Sequence, residues 1–187
     1  LGAAGHDVCL FLPKYRAVRA APLEEGKARP VRVTLGGEQL EVGLRFLHRR
    51  AVTVYFVDYP PFYDRDGLYG NTRGDYEDNS ERFKYFCQKT LELFRKIKTK
   101  VDIVHCHDWQ TALIPVYLKT VYSNDSFYKN TKSLLTIHNI GYQGLFPKEE
   151  FPKLGLDWSL FNIEGLEFYG KVNILKGGME FADIINT

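Results

Sequence analysis

Val101-Asp102-Ile103-Val104-His105-Cys106-His107-Asp108-Trp109-Gln110 is an apolar, β-branched run that stops abruptly at polar and aromatic residues. Leu134-Leu135-Thr136-Ile137-His138-Asn139-Ile140-Gly141-Tyr142-Gln143-Gly144 repeats the pattern. A strand buried on both faces of a parallel sheet reads this way, near-continuously hydrophobic until it leaves the sheet. In open α/β sheets, ligands sit just beyond the carboxyl ends of the strands. Two such exits bearing His, Asp, Trp, Asn, Tyr and Gln point to one pocket for a hydroxyl-rich ligand.

Outward from these passages the chain alternates between the two periodicities. A first strand is expected over residues 8–12. Residues 31–35, 38–47 and 52–59 read as three β-runs, with Gly36-Gly37 and Arg49-Arg50 at the connections, so a meander is expected. Within it, Leu40, Val42, Leu44 and Phe46 alternate with Glu41, Gly43 and Arg45, giving one buried and one wet face. Residues 60–76 are rich in Gly, Asp and Tyr, lack a helical period and read as a long ordered loop. Asp78 or Asn79 then caps a helix, with Glu81 completing a capping box and Phe83, Phe86, Cys87, Leu91, Phe94 and Ile97 forming its buried stripe. A strand to His105, a helix over 111–122 and a strand to His138 follow. An irregular stretch over 143–165 and a helix over 170–182 come next. Strands alternating with helices make βαβ units. The expected fold class is therefore α/β: a Rossmann-like parallel sheet flanked by helices, with a β-meander insertion and no interdomain linker.

Both ends read as interior to such a repeating unit. Leu1-Gly2-Ala3-Ala4-Gly5 is the last turn of a helix closed by Gly5, and residues 181–187 are a helix tail running into a strand. A piece of a larger protein is expected.

Composition narrows the function classes. The 187 residues carry 25 basic and 23 acidic side chains, spread along the chain, for a net charge of +2. Arg49-Arg50 and Lys96, Lys98 and Lys100 are too short a set for a nucleic-acid footprint and belong on solvated surface, so no nucleic-acid partner is expected. No apolar run approaches the ~20 residues that cross a bilayer, so no membrane partner is expected either. Cys9, Cys87 and Cys106 lie far apart and read as free thiols in a reducing compartment, with a single disulfide as the alternative.

His105-Cys106-His107-Asp108 is the sharpest cluster. Residues two apart on a strand share a face, so His105 and His107 point the same way. The plain reading makes His105 a core histidine and Asp108 a helix cap. The functional reading lets Asp108 accept sugar hydroxyls beside the apolar face of Trp109. H-x-H at a strand exit is also how metal-dependent hydrolases hold zinc, with His138 as a third candidate ligand. At the second exit, Gly141 and Gly144 let the backbone approach a ligand closely. An imidazole or carbonyl there can stabilise an oxocarbenium-like transition state; the plain reading is a strand-to-loop transition in which Asn139 makes an Asx-turn. Gly177-Gly178 is no phosphate loop, because no strand precedes it and no Lys-Ser/Thr follows.

Five passages, in order, resemble the bacterial glycogen synthase and plant starch synthase family. They are Gly5-His6-Asp7-Val8 through Leu12-Pro13-Lys14-Tyr15; Tyr55-Phe56-Val57-Asp58 with Phe62-Tyr63-Asp64-Arg65-Asp66-Gly67-Leu68-Tyr69-Gly70; His105-x-His107-Asp108-Trp109; Thr136-Ile137-His138-Asn139-Ile140-x-Tyr142-Gln143-Gly144; and Asp183-Ile184-Ile185-Asn186-Thr187. The resemblance implies one lobe of a two-lobed GT-B glycosyltransferase. Residues 1–187 would be its N-terminal, acceptor-side lobe, truncated at both ends. The family's Lys-Thr-Gly-Gly-Leu loop would precede Leu1, and the donor-binding C-terminal lobe would follow Thr187.

By the same resemblance the full-length protein is a retaining glucosyltransferase. It would add glucose from a nucleotide-diphosphate glucose, ADP-glucose first, to the non-reducing end of an α-1,4-glucan. His138 would touch the transferred glucose and Asp108 its hydroxyls. Trp109, Asn139, Tyr142 and Gln143 would line the cleft, and Tyr63, Asp64 and Arg65 would lie on the acceptor side. The expected partners are the sugar donor, the glucan and the missing lobe, with no metal or other cofactor. The expected location is bacterial cytoplasm or plastid stroma. The alternatives are the H-x-H metal-dependent hydrolase and a non-catalytic carbohydrate-binding lobe.

Overall fold

A computed structural model describes residues 1–20, 31–35, 38–49 and 52–187, with side chains for 1–18 and 52–187. The chain divides into two compact units, Leu1–Tyr76 and Glu77–Thr187.

In the first unit a short 3-10 turn, Gly2–Ala4, closes on Gly5 in the left-handed region, as the first five residues predict. The strands are β1 (Val8–Pro13), β2 (Val31–Leu35), β3 (Glu38–Arg49) and β4 (Val52–Asp58). They form one sheet in the order β1-β4-β3-β2. β2, β3 and β4 pair antiparallel in succession, which is the expected meander, while β1 joins β4 in parallel. The connections at 36–37 and 50–51, and the side chains of the alternating run 40–46, lie outside the described residues. Phe11 stacks on Tyr55 at 4.8 Å, and Lys14 pairs with Asp58 at 2.9 Å where the two parallel strands end.

The stretch after β4 corrects the loop expected over 60–76. It opens as α1 (Pro60–Tyr63) and folds back as a small hairpin, β5 (Gly70–Asn71) with β6 (Gly74–Asp75). Pro60 occupies the first helical position, where its fixed φ suits the turn and its missing N–H costs nothing.

The second unit starts with α2 (Asn79–Lys96), whose buried face is wider than the stripe read from the sequence. Tyr85, Leu93, Arg82 and Lys89 are also buried, whereas Ile97 is only half-buried and lies past the helix end. The capping box does not form. Asp78 makes no side-chain cap, and Glu81 pairs instead with Lys153 at 3.0 Å.

Next come β7 (Ile103–His107), α3 (Asp108–Thr111) and α4 (Leu113–Lys119). The single helix expected over 111–122 is thus two pieces, beginning earlier and broken at Ala112. Pro115 lacks the N–H that would bond the Thr111 carbonyl, so one continuous ladder cannot run through this point. After β8 (Lys132–Thr136), the stretch expected to be irregular holds β9 (Leu145–Pro147) and two 3-10 segments, Lys148–Leu154 and Trp158–Leu160. β10 (Glu167–Phe168) and β11 (Lys171–Asn173) form a hairpin, so α5 (Ile174–Phe181) starts four residues later than its sequence period suggests. β12 (Ile184–Asn186) ends the chain's order of elements.

β12, β8 and β7 form an all-parallel sheet in that order. Val104, Cys106, Ser133 and Leu135 are buried on one of its faces. The opposite face holds His105, His107 and Thr136, with Ile103 and Ile184 each 63% exposed. Asp183 ties the start of β12 to the start of β8. Its carboxylate accepts from the Ser133 N–H at 2.9 Å and hydroxyl at 3.0 Å and pairs with Lys119 at 2.7 Å. Burial alone would raise the Asp183 carboxyl, but the Lys119 pair and the two Ser133 donors outweigh it and hold the group well below the usual carboxylate range.

The glycine pair at 177–178 is explained by packing. A Cβ on Gly178 would meet the Ala112 Cβ at 2.5 Å and its carbonyl oxygen at 2.9 Å, so α5 crosses the α3–α4 junction at backbone contact. Gly178→Val should therefore destabilise the protein by about 1–3 kcal/mol, read by denaturant unfolding. A second outcome concerns pH. A carboxyl whose folded pKa is depressed adds stability above its unfolded value, and that stability is lost as pH falls toward the folded one. The difference in melting temperature between wild type and Asp183→Asn should be flat from about pH 5 to 8 and shrink below about pH 4.

Candidate functional site

The two strand exits singled out in the sequence are adjacent in the second unit, because β7 and β8 pair in parallel with His107 opposite Thr136. The chain leaves β7 through a strained residue. Asp108 has φ +53°, a left-handed conformation uncommon outside glycine, and opens α3. Thr111 secures this turn, its hydroxyl accepting from the His107 N–H at 2.5 Å and donating to the His107 carbonyl at 2.8 Å.

Asp108 does not cap its own helix. Its Oδ1 crosses to the second exit and accepts from the backbone N–H groups of His138 at 2.8 Å and Asn139 at 3.3 Å. Its other oxygen has no hydrogen-bond partner among the described residues.

The loop 139–144 is fastened at several points. Asn139 Oδ1 accepts from the Gly141 N–H at 2.9 Å, the Asx-turn of the plain reading. Gln143 donates to the Ile140 carbonyl at 3.1 Å and accepts from Asn173 at 2.7 Å. Its backbone carbonyl and that of Gly144 accept from the first N–H groups of α5, on Leu175 at 3.0 Å and Ile174 at 3.1 Å. These donors have no partner inside the helix. Asn173 also caps α5 through the Lys176 N–H. The loop and the helix start thus satisfy each other.

Trp109 departs from its expected place. Only 8% exposed, it packs edge-on against Phe83 at 4.9 Å and Phe146 at 5.7 Å. Gly144, at φ +63°, passes directly over the indole, where a Cβ would come within 2.6 Å of the ring. Trp109 is the floor beneath the loop, with no open face for a sugar. Gln143 and Asn139 are likewise engaged with their own loop. What the loop leaves open is the exposed imidazole of His138, the side chain of Ile140, 57% exposed, and the ring of Tyr142, 69% exposed.

Three imidazoles form a row on the open face of the sheet. The His105 and His107 rings lie 4.2 Å apart, and His107 and His138 lie 5.2 Å apart and nearly parallel, with Nδ1 of His107 3.0 Å from Nε2 of His138. His105 Nε2 meets the Thr136 hydroxyl at 2.6 Å, and Thr136 donates to Asn186 at 2.5 Å. Burial first, then the neighbouring His105 and His138, lower the His107 pKa, partly offset by Asp108. His107 is therefore a neutral imidazole near pH 7. The zinc reading has no geometric support, because His107 turns its nitrogen onto His138 and His105 turns its own onto Thr136. No group of three or more His, Cys, Asp or Glu side chains among the described residues could hold a metal ion.

The first unit places the remaining candidates differently from expectation. Tyr63 is completely buried, edge-on to Tyr15 at 5.8 Å, and offers no surface to a glucan. Asp64 pairs with Arg16 at 2.9 Å, and Arg65 donates to the Pro61 carbonyl at 2.8 Å and 3.0 Å while covering Tyr76 at 4.8 Å. Both polar side chains brace the turn after α1. Cys9, Cys87 and Cys106 are free, and burial pushes the Cys106 thiol up to about 12, leaving it an inert core group.

Comparison with known proteins decides the kinship. The family described as "Starch synthase catalytic domain" matches residues 1–187. The chain belongs to this starch synthase family. The glycogen synthase of Geotalea daltonii is 45% identical over 184 residues, covering 98% of this chain and 38% of the relative. That of Koribacter versatilis is 46% identical over 193 residues, covering 100% and 38%. Among solved structures, the catalytic domain of starch synthase IV from Arabidopsis thaliana, bound to ADP and acarbose, superposes with a TM-score of 0.84 at 28% identity, covering 98% of this chain and 38% of that one. The expected α/β fold, as part of a GT-B glycosyltransferase, is borne out by this match. The chain spans 38% of the length of the relatives it matches.

Sequence reading missed Thr111, Thr136, Asn173 and Asn186 as supporting residues. The parallel register alone aligns His107, Thr136 and Asn186, and no local motif marks that row. The Asp108 bridge makes a measurable claim. Asp108→Ala should speed amide exchange at His138 and Asn139 by about 10–100-fold, the loss of a charge-assisted hydrogen bond, and leave Leu135 protected.

Proposed function

We propose that residues 1–187 are the N-terminal, acceptor-side lobe of a retaining glucosyltransferase. The enzyme transfers glucose from ADP-glucose to the non-reducing end of an α-1,4-glucan, and the donor-phosphate loop and donor lobe lie outside this chain. The observation that carries the reading is the Asp108 bridge. One carboxylate oxygen fixes the backbone under His138 while the other stays free for a sugar hydroxyl. The glycogen synthase relatives and the ADP- and acarbose-bound neighbour support the donor and acceptor classes.

In this reading His138 lies against the transferred glucose. As the bond between the anomeric carbon and the diphosphate lengthens, positive charge develops on the sugar ring. The His138 imidazole and adjoining carbonyl stabilise that charge without forming a bond to it. Asp108 accepts from a hydroxyl of the same sugar, and Tyr142 lies at the rim. No residue of the chain is required to ligate a metal, and neither nucleic acid nor membrane is a partner. No helix among the described residues is long and apolar enough to cross a membrane. The bacterial relatives favour bacterial cytoplasm over a plastid.

Lobe closure is needed to hold donor and acceptor together and to expel water. The 187-residue chain should therefore transfer no glucose from ADP-glucose or UDP-glucose to glycogen in a radiolabel assay. In the full-length enzyme, His138→Ala should lower kcat by about 10²–10³-fold, the size of one lost transition-state contact, with little change in KM. Near-normal kcat in that variant would overturn the assignment of His138. A full-length protein that binds maltooligosaccharides and transfers nothing would favour the non-catalytic lobe.

A further inference from the structure

His138 ends the imidazole row on an exposed loop, and a ring placed there needs something to hold its angle. Its backbone is fixed by Asp108, but its side chain is held by one neighbour only. His138 Nε2 faces His107 Nδ1, and His138 Nδ1 has no hydrogen-bond partner among the described residues. We infer that His107 is a positioning residue for His138, setting the angle of its ring and fixing whether His138 Nδ1 meets a bound sugar as donor or acceptor. This inference rests on the reading of His138 given above.

The proton assignment follows along the row. Asn186 Oδ1 can only accept, so the Thr136 hydroxyl gives its proton there and receives one from His105 Nε2. His105 is thus anchored in one tautomer, with its ring against His107. Between His107 and His138 a single proton is shared. If it sits on His107 Nδ1, neutral His138 carries its own proton on Nδ1 and donates to the sugar. If it sits on His138 Nε2, the free Nδ1 accepts. Other ionisable groups acting on His107 are His105 on its own strand, His138 across the sheet and Asp108 at the helix start. Partial desolvation first, then the two neighbouring imidazoles, disfavour a charge on His107, which keeps it a neutral partner for His138 at working pH.

The test is a series at His107 in the full-length enzyme. Asparagine places its amide close to the position of Nδ1, whereas glutamine places it close to Nε2. His107→Ala and His107→Gln should each lower kcat by about tenfold with KM little changed, and His107→Asn should stay within about threefold of wild type, as expected for one hydrogen bond lost or kept. Nitrogen-15 spectra of the histidine rings give a second readout independent of activity. The His138 Nε2 signal should stay hydrogen-bonded in His107→Asn and shift in the Ala and Gln variants. In the converse experiment, His138→Ala should move the His107 titration midpoint up.

Identical His138 ring signals in wild type and all three His107 variants would overturn the inference, whether or not glucose is transferred. Equal losses of kcat in the Ala, Asn and Gln variants would also overturn it, as a sign of a merely structural site. A wild-type enzyme without transferase activity, or a fully active His138→Ala, would instead overturn the functional reading. The ring spectra would still decide the contact.

Discussion

One carboxylate oxygen joins the two halves of the candidate site. Parallel strands put their exits side by side but leave each exit loop to find its own path, because the ladder's hydrogen bonds end where the strands end. Asp108 supplies the missing tie. Its Oδ1 accepts two backbone N–H groups from the neighbouring exit, and two donors on one carboxylate make a stronger constraint than a neutral pair would. To reach them the residue adopts φ +53°. That strain is supported by Thr111, which holds the preceding residue, His107, on both its N–H and its carbonyl. The backbone of the second exit, and with it Tyr142, inherits its position from this tie and from the Trp109 floor, while the His138 ring meets His107.

The arrangement separates scaffolding from display. Trp109, Gly144, Gln143, Asn139 and Asn173 make their contacts within the loop, the core beneath it and the start of α5, so the loop is over-determined although it carries no regular structure. The residues left with open polar atoms or rings are few. An active-site surface of this kind can be precise without being deeply buried, since the supporting shell lies under the loop rather than around a cavity.

The fold was legible wherever a period is long or a strand exit is abrupt. The parallel core, the meander and α2 follow from such patterns. Boundaries failed where tertiary contacts override local signals: Pro115 breaks a helix that its apolar neighbours imply, and Glu81 serves Lys153 rather than a capping box. At the site, His105 and His107 could be placed on one face from the two-residue strand period alone. Burial of Trp109 and Tyr63 could not, because an aromatic at a strand exit and one in the core look the same in a sequence. The links His107–His138 and Asp108–His138 join residues about thirty apart, and only the sheet register brings them within reach.

The open face of the β12-β8-β7 sheet has a further meaning. Parallel sheets are covered on both sides in nearly every protein that contains them, yet Ile103 and Ile184 stand largely in solvent here. The imidazole row shares that face with them. A surface that mixes aliphatic edges with histidines is a poor one to leave in water, and copies of this chain kept by themselves would tend to shield it against each other. Keeping the chain dilute is therefore the first precaution in handling it alone.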